Sequence, residues 1–226
     1  MNTKIKKILN KKNKTKIVCL TSYSKNIAQI LDRHCDIILV GDSMANVLYG
    51  SKNTHQVTLE NIIQHAKSVR KGINKSFLVV DMPKGTYQNI SSAKKNAKKI
   101  LELSNCDAIK IESNKKNFNI INVLVKSNIP VMGHVGYTPQ FKKKFKIEGN
   151  TPNEAKKLLN EAILIEKAGA FSIVLECVAS ETSKLITSKL KIPTIGIGSS
   201  SYCDGQILVT DDMLGLSGFY PKFVKK

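Results

Sequence analysis

The sequence has no tryptophan and almost no arginine, although its formal net charge is +19. Arg33 and Arg70 are the only two arginines among 36 basic residues, so lysine supplies nearly all of the positive charge. Arginine is the residue that reads phosphates and guanines through paired hydrogen bonds. Its scarcity argues against a nucleic-acid interface, and abundant lysine, asparagine and isoleucine indicate A/T-rich coding instead. We therefore expect no nucleic-acid partner, and a lysine-rich, non-enzymatic nucleic-acid binder is the alternative from a different class.

The sequence also lacks the cysteine patterns of disulfide frameworks and zinc sites. Its five cysteines are odd in number, and no two are spaced as Cys-x-x-Cys. Such cysteines are typical of small buried side chains in a reducing compartment. No apolar run has the length of a signal peptide or a membrane-spanning helix. These absences predict a cytoplasmic protein without a membrane partner.

The segment Ile37–Ser43, Ile-Ile-Leu-Val-Gly-Asp-Ser, predicts a buried strand that ends in polar residues. Consecutive β-branched and leucine side chains bounded by turn residues are typical of strands buried on both faces, as in parallel sheets. The same pattern recurs four times, in Phe77–Val80 before Asp81, Ala108–Ile111 with Lys110 and before Glu112, Val131–Gly133 before His134, and Ser172–Leu175 before Glu176.

Buried strands of this kind, separated by helical patterns, predict a (β/α)8 TIM barrel. In that fold the C-terminal ends of the strands share one face and build the active site there, so scattered polar residues converge. A chain of 226 residues with 42% hydrophobic content can bury the core of one such domain. We predict a single barrel domain over residues 1–226, with a short basic helix at about residues 3–11.

The fourth predicted strand has an unusual composition. Lys110 stands in a strand that is otherwise apolar up to Glu112, and a lysine is costly to bury without a partner. Alternation along the strand places Lys110 and Glu112 on the same face. Two interpretations stay open at this point: a structural salt bridge, or a pair of functional side chains that lines the mouth of the barrel.

Several connecting segments also carry structural predictions. The segment 44–57 predicts a long irregular loop, and loops of that length in compact domains are usually functional. Ser91 is predicted as the N-cap of the helix that follows the third strand. His134 is predicted to end a strand between glycines. The basic segment 141–146, with spaced aromatics, predicts a mobile cover over the barrel mouth. Gly-x-Gly-Ser at 196–199 suits either an anion cradle or tight packing.

Eight motifs, in this order along the chain, resemble one family, the ketopantoate hydroxymethyltransferases, also named 3-methyl-2-oxobutanoate hydroxymethyltransferases. The resemblance extends from about Lys16 to Phe223. The motifs are Val40–Ser43, Val57–Leu59, Asp81–Pro83, Lys110–Glu112, Gly133–Gln140, Val174–Glu176, Pro193–Gly198 and Asp204–Val209.

The resemblance implies a barrel of the phosphoenolpyruvate/pyruvate superfamily. It implies transfer of a hydroxymethyl group from 5,10-methylenetetrahydrofolate to 3-methyl-2-oxobutanoate, which forms 2-dehydropantoate for pantothenate biosynthesis. It further implies Mg2+ as cofactor and a homo-oligomer, most often a decamer. Compared with the family pattern, the C-terminal tail is clipped after Val224.

The resemblance also assigns roles by position. Asp42 and Asp81 are implied to bind Mg2+, with Glu112 joining that site directly or through water. The residues implied to bind the substrate are Asp42, Ser43, Asp81, Lys110 and His134, and Glu176 is implied as the catalytic proton acceptor. Carboxylates at strand ends suit a hard cation that keeps open positions.

A second enzyme interpretation is another Mg2+-dependent member of the same superfamily, a C–C lyase that acts on a 2-oxo acid. Such lyases usually carry a reactive cysteine in a mobile loop. Among the five cysteines, only Cys177, beside Glu176, is predicted to lie at the C-terminal end of a strand.

Overall fold

The computed structural model describes residues 3–114, 117–218 and 221–224. Within these residues, eight strands pair in chain order around a closed barrel, and the pairings are parallel. The predicted (β/α)8 fold class is therefore confirmed. The strands are β1 (Ile17–Thr21), β2 (Ile37–Val40), β3 (Phe77–Asp81), β4 (Ala108–Glu112), β5 (Val131–Gly136), β6 (Ser172–Glu176), β7 (Thr194–Ile197) and β8 (Gly205–Leu208).

Helices alternate with these strands along the chain. They are α1 (Thr3–Leu9), α2 (Lys25–Leu31), α3 (Met44–Val47), α4 (Leu59–Arg70), α5 (Ile90–Ser104), α6 (Phe118–Lys126), α7 (Pro152–Lys167), α8 (Ser180–Lys189) and α9 (Thr210–Met213), with a 3-10 turn at Thr54–Gln56. In the described ranges, none of them combines the length and the apolar character that a bilayer crossing needs.

The start of α5 corrects the predicted cap. Asn89, not Ser91, is the N-cap residue, and its side chain accepts a hydrogen bond from the backbone N–H of Ser92 at 2.9 Å. The Ser92 hydroxyl in turn accepts from the backbone N–H of Asn89, which completes a capping box. The helix therefore begins at Ile90, two residues earlier than a cap at Ser91 allows.

The segment 44–57 is also more regular than predicted. It contains the one-turn helix α3 and the 3-10 turn Thr54–Gln56, where the side chain of Asn53 accepts from the backbone N–H of His55. One-turn elements are too short to show a helical period in the sequence. The prediction of a wholly irregular loop was wrong for this reason.

The chain divides into two compact units. The first comprises Met1–Ile17 and Lys110–Gln206, and the second comprises Val18–Ile109 and Ile207–Lys226. The single domain over residues 1–226 stays a prediction.

In the first unit, β5, β6 and β7 form a continuous parallel ladder. Their side chains are almost all buried, and α7 packs on β5 and β6. Gly133 permits that contact, because a Cβ there would come within 2.4 Å of Ile165 on α7. The ladder fixes which residues of these strands lie level with one another, including Gly136 opposite Glu176.

In the second unit, β2 pairs with β3 over four residues, and every side chain of both strands is buried. Helix α4 packs on these two strands and beside α2 and α5. The buried residues of α4 recur with the helical period, at Ile62, Ile63, Ala66 and Val69. This stripe follows the sequence prediction and covers the strands that carry Asp42 and Asp81.

A buried ion pair in the first unit joins the segment after α1 to the last two strands. The Lys12 ammonium lies 2.8 Å from the carboxylate of Asp204, and their side chains are only 8% and 3% exposed. Asp204 also accepts hydrogen bonds from the backbone N–H groups of Asn13 and Thr194. Burial by itself raises the pKa of Asp204, but the hydrogen bonds from Lys12, Thr194 and Asn13 outweigh burial and lower it.

We expect Asp204→Asn to lower the free energy of unfolding by roughly 3–5 kcal/mol at neutral pH, because the buried Lys12 ammonium loses its counter-charge. A carboxyl whose pKa is lowered by folding stabilises the fold above its unfolded pKa, which is about 3.9. That contribution is lost as the pH falls through the lower, folded value. The difference between parent and variant should therefore shrink in acid, as urea unfolding at a series of pH values measures.

Lys99→Ala is the matched control, because Lys99 pairs with Glu60 on the exposed surface. Exposed ion pairs contribute little, so this variant should unfold at the same urea concentration as the parent. Equal unfolding midpoints for Asp204→Asn and Lys99→Ala would contradict the assigned role of the buried pair.

Candidate active site

The ends of β2 and β3, in the second unit, bring two buried carboxylates together. Asp42 and Asp81 are 4% and 2% exposed, and the backbone N–H of Asp42 donates to Asp81 Oδ2 at 3.0 Å. The pairing of Val40 with Val80 holds these strand ends level. Two carboxylates in neighbouring buried positions would repel each other when both are ionised. A bound cation would remove that penalty.

Ser43 follows Asp42 at the start of α3 and contacts a buried tyrosine. Its hydroxyl lies 2.8 Å from the hydroxyl of Tyr23. Burial raises the pKa of Tyr23 far above its ordinary value, so Tyr23 is a neutral phenol that can donate this hydrogen bond. Gly41 leaves room for the arrangement, because a Cβ there would lie 2.9 Å from the Ser43 hydroxyl. Sequence reasoning assigned no role to Tyr23.

In the first unit, His134 is the point at which three other predicted site residues meet. Its Nδ1 lies 3.5 Å from the Lys110 ammonium and 3.8 Å from Glu112 Oε1, and its Nε2 lies 3.3 Å from Glu176 Oε2. Lys110, Glu112 and His134 are all nearly fully buried. If the Lys110 ammonium donates to Nδ1, the neutral imidazole carries its proton on Nε2, next to Glu176. The 3.3 Å contact lacks the alignment of a full hydrogen bond.

The position of His134 corrects one prediction. His134 lies inside β5, which continues to Gly136, so it does not end the strand. The glycines do not break the ladder, and His134 pairs in register with Val174. Lys110 and Glu112 both approach the imidazole, as side chains on one face of a strand do. Lys110 and Glu112 therefore belong to one buried cluster with His134, and the functional role of this cluster stays a prediction.

Glu112 is held by the segment that follows β5. Its Oε2 accepts a hydrogen bond from the backbone N–H of Gln140 at 3.0 Å, and its backbone carbonyl accepts from the side chain of Asn117 at 2.8 Å. Sequence reasoning noticed Gln140 only as part of a motif. Its backbone contact crosses between two segments, and residue spacing gives no sign of it.

The backbone around Glu176 is tightly constrained, while its side chain is 20% exposed. The Glu176 carbonyl accepts from the backbone N–H of Tyr137 at 2.8 Å, and a Cβ at Gly136 would lie 2.2 Å from that carbonyl oxygen. Gly136 has φ +94°, and Cys177, the next residue after Glu176, has φ +51°. Such a conformation is uncommon for a residue with a side chain and often occurs at functional sites.

Cys177 is not a reactive thiol. Its side chain is buried, and burial, followed by the negative charge of Glu176, raises its pKa to about 12. The thiolate is the nucleophilic form of cysteine, so Cys177 is inert at neutral pH. In the described ranges every cysteine is buried and unbridged, which agrees with their predicted role as small core residues.

The Gly-x-Gly-Ser segment at the end of β7 is explained by packing. The Ser199 hydroxyl donates to the Leu175 carbonyl at 2.6 Å and accepts from the backbone N–H of Val178 at 3.0 Å. A Cβ at Gly196 would lie about 3.1 Å from Cys203 Sγ and from the side chain of Gln206. These contacts favour the packing interpretation over the anion cradle.

The residues fit a magnesium ion through the Asp42–Asp81 pair. Over the described ranges, no group of three or more His, Cys, Asp or Glu side chains is arranged to hold a metal. Mg2+ does not require such a cage, because it is usually bound through one or two carboxylates and completes its shell with water and substrate oxygens. Two buried, adjacent carboxylates match that type of site.

Comparison with known families gives a match along almost the whole chain. A family model described as ketopantoate hydroxymethyltransferase matches residues 2–226. A 3-methyl-2-oxobutanoate hydroxymethyltransferase of Pelagibacter ubique (strain HTCC1062) is 55% identical over 226 residues, which are 100% of this chain and 88% of the relative. A 3-methyl-2-oxobutanoate hydroxymethyltransferase from Anaplasma marginale (strain St. Maries) is 47% identical over 219 residues, which are 96% of this chain and 79% of the relative.

Solved structures with little sequence identity share the fold. A 2,3-dimethylmalate lyase of the PEP mutase/isocitrate lyase superfamily is 16% identical, with a TM-score of 0.69, covering 95% of this chain and 84% of that one. A putative phosphonomutase from Burkholderia cenocepacia J2315 is 10% identical, with a TM-score of 0.75, covering 95% and 94%. A phosphonopyruvate hydrolase in complex with oxalate and Mg++ is 10% identical, with a TM-score of 0.67, covering 92% and 81%.

Proposed function

Because this chain belongs to the ketopantoate hydroxymethyltransferase family, we propose that it uses the residues described above to make 2-dehydropantoate from 3-methyl-2-oxobutanoate and a folate one-carbon donor. The protein is a hydroxymethyltransferase of pantothenate biosynthesis. The donor proposed is 5,10-methylenetetrahydrofolate. The observation that carries the proposed mechanism is the contact between the Glu176 carboxylate and the His134 imidazole, next to the Lys110 ammonium.

Asp42 and Asp81 are proposed to hold Mg2+, and Glu112 to join that site directly or through water. When bound, the cation supplies positive charge that stabilises negative charge developing on the 2-oxo oxygen of the substrate. Support comes from the burial and proximity of the two aspartates, and from the phosphonopyruvate hydrolase of similar fold, whose structure contains Mg++ and oxalate. Asp42, Asp81 and Glu112 each lie at or just after the C-terminal end of a strand, where barrel enzymes carry their catalytic residues.

Ser43, Lys110 and His134 are proposed to bind the oxo acid, in addition to the two aspartates. The Lys110 ammonium offsets the negative charge of the substrate carboxylate, and its own burial is compensated by this partner. The Ser43 hydroxyl donates to a substrate oxygen while it accepts from the neutral phenol of Tyr23. The His134 imidazole, held between Lys110 and Glu176, orients the base.

Glu176 is proposed as the general base that removes the proton from C3 of the oxo acid. The electron pair of that C–H bond forms the enolate. Water adds to the methylene carbon of the donor as both of its C–N bonds break, which releases formaldehyde and leaves the two nitrogens of tetrahydrofolate as N–H groups. The enolate carbon attacks the formaldehyde carbon, the C=O electron pair moves to oxygen, and that oxygen takes the proton held by Glu176, which gives the hydroxymethyl group of 2-dehydropantoate. General base catalysis of this kind typically contributes about 100-fold to 10,000-fold to the rate.

The second enzyme interpretation, a C–C lyase of the same superfamily, is less well supported. It relies on a reactive cysteine, and Cys177 is buried with a raised pKa. The wider setting stays part of the proposal: a cytoplasmic homo-oligomer, a decamer by resemblance, with small-molecule substrates and no nucleic-acid or membrane partner. An assay for folate-dependent formation of 2-dehydropantoate tests the function directly, and cleavage of a 2-oxo acid without folate would favour the lyase.

We expect Tyr23→Phe to raise the KM for 3-methyl-2-oxobutanoate roughly threefold to tenfold, the equivalent of one lost hydrogen bond. The phenol fixes the Ser43 hydroxyl, so the effect should pass through Ser43. Steady-state kinetics of the single and double variants measure this coupling. The Tyr23→Phe change should have no further effect in a Ser43→Ala background. An equal effect in both backgrounds would show that Tyr23 acts independently of Ser43.

A further inference from the structure

The segment after β5 exposes large apolar side chains on a short loop. We call residues 141–147 the basic aromatic loop; Phe141, Phe145 and Ile147 within it are 43%, 63% and 52% exposed. The Phe145 ring packs edge-on against the Tyr137 ring, with centroids 5.2 Å apart and planes at 65°. Exposed apolar groups clustered in this way indicate a binding surface. The ring pair also restrains Phe145 before any ligand arrives.

Both ends of the loop are attached to the strands that carry His134 and Glu176. At the start, Lys142 Nζ donates to the carbonyl of Gly136 at 2.7 Å and pairs with Glu148 at 3.0 Å. At the end, the backbone N–H of Glu148 donates to the carbonyl of Cys177 at 2.8 Å, and Glu148 forms a parallel bridge with Val178. The loop is therefore fixed directly beside the proposed base.

The charge of the loop is positive and partly uncompensated. Lys146 pairs with Glu154 at 3.0 Å, but across the described ranges Lys143 and Lys144 have no acidic partner, and both are exposed. A short loop that carries an exposed aromatic ring and two such ammonium groups suits a ligand with a flat ring system and carboxylates. The oxo acid has no ring, so binding of that substrate does not require the exposed aromatic side chain.

We infer that the basic aromatic loop binds the folate co-substrate. The aromatic part of the folate packs on Phe145, and the carboxylates of its glutamate tail contact Lys143 and Lys144. This inference rests on the proposed folate-dependent function. It assigns the folate to the loop between β5 and α7, next to Glu176, where the methylene carbon must meet the enolate.

The test compares Phe145→Ala and the double variant Lys143→Ala/Lys144→Ala with the parent enzyme. We expect Phe145→Ala to raise the KM for 5,10-methylenetetrahydrofolate roughly tenfold, by analogy with the loss of aromatic stacking at nucleobase sites. The KM for the oxo acid and the folate-independent exchange of its C3 proton should not change. In the parent, a triglutamate donor should have a lower KM than a monoglutamate donor, and the lysine variant should lose that difference.

Lys94→Ala/Lys95→Ala is the matched control, because both lysines are exposed on α5 and their removal lowers the net charge equally. This control should keep the preference for the triglutamate. An unchanged folate KM in Phe145→Ala would overturn the inference, as would a change in oligomer size with an unchanged folate KM, which would assign the loop to contact between copies. A parent enzyme that makes no 2-dehydropantoate from the folate donor would instead refute the proposed function itself.

Discussion

Replacement of Glu176 by glutamine is expected to lower kcat about 100-fold to 10,000-fold, the usual contribution of a general base. Glutamine keeps the size of the side chain and its place beside His134, but it does not accept the C3 proton. The backbone carbonyl of Glu176 accepts a hydrogen bond from the N–H of Tyr137, the residue after β5, and β6 pairs with β5. The variant should therefore fold normally. The loss of rate would then report the missing base and not a displaced strand.

Solvent deuterium exchange at C3 of 3-methyl-2-oxobutanoate, with Mg2+ and without folate, separates the proton transfer from the later steps. The parent should exchange this proton, and Glu176→Gln should exchange it slowly by the same factor as kcat. Glu102→Gln, an exposed position on α5, is the control and should behave as the parent. Equal exchange rates in parent and Glu176→Gln would assign the base to another group, with His134 the next candidate.

Removal of the proposed metal site should have an effect of similar size. We expect the double variant Asp42→Ala, Asp81→Ala to lose roughly 1,000-fold or more in kcat/KM, because charge stabilisation by a bound metal contributes several kcal/mol and each 1.4 kcal/mol is tenfold. In the parent, a chelator should abolish activity and added Mg2+ should restore it. In the double variant, added Mg2+ should restore nothing.

Isothermal titration of Mg2+ provides a second readout that does not depend on turnover. The parent should bind Mg2+, and the double variant should not, while Asp212→Asn on α9 should bind as the parent does. Full activity of the double variant in the presence of chelator would refute the assignment of Asp42 and Asp81. Intact activity with lost Mg2+ binding would show that the metal held by these aspartates is not needed for catalysis.

The buried strands were predictable because each carries an unbroken apolar run that ends in a polar residue. Ile37–Val40 occurs in the structure with the predicted bounds, and the predicted run Ser172–Leu175 is extended by one residue, to Glu176. Parallel strands in a barrel are covered on both faces, and this requirement leaves a strong signal in sequence. The predicted site residues fall at or just after these strand ends for the same reason, with the exceptions of Lys110 inside β4 and His134 inside β5.

The parts that sequence reasoning missed depend on contacts between distant segments or on a choice among neighbouring capping residues. Tyr23 reaches Ser43 across 20 residues, and the Gln140 backbone reaches Glu112 across 28. Such contacts leave no periodic pattern in the sequence. The cap of α5 was misplaced because Asn89, Ser91 and Ser92 are all good capping residues within four positions, and only the geometry of the turn selects Asn89.

The conformations of Gly136 and Cys177 restrict how this enzyme can be redesigned. Any side chain at Gly136 would collide with the Glu176 carbonyl, and residue 177 must tolerate a left-handed backbone. A library that randomises these two neighbours of the base would therefore yield mostly misfolded or inactive proteins. Altered acceptor preference should instead be sought at positions whose backbone is unstrained, such as Ser43, with β5 and β6 left as a constant frame.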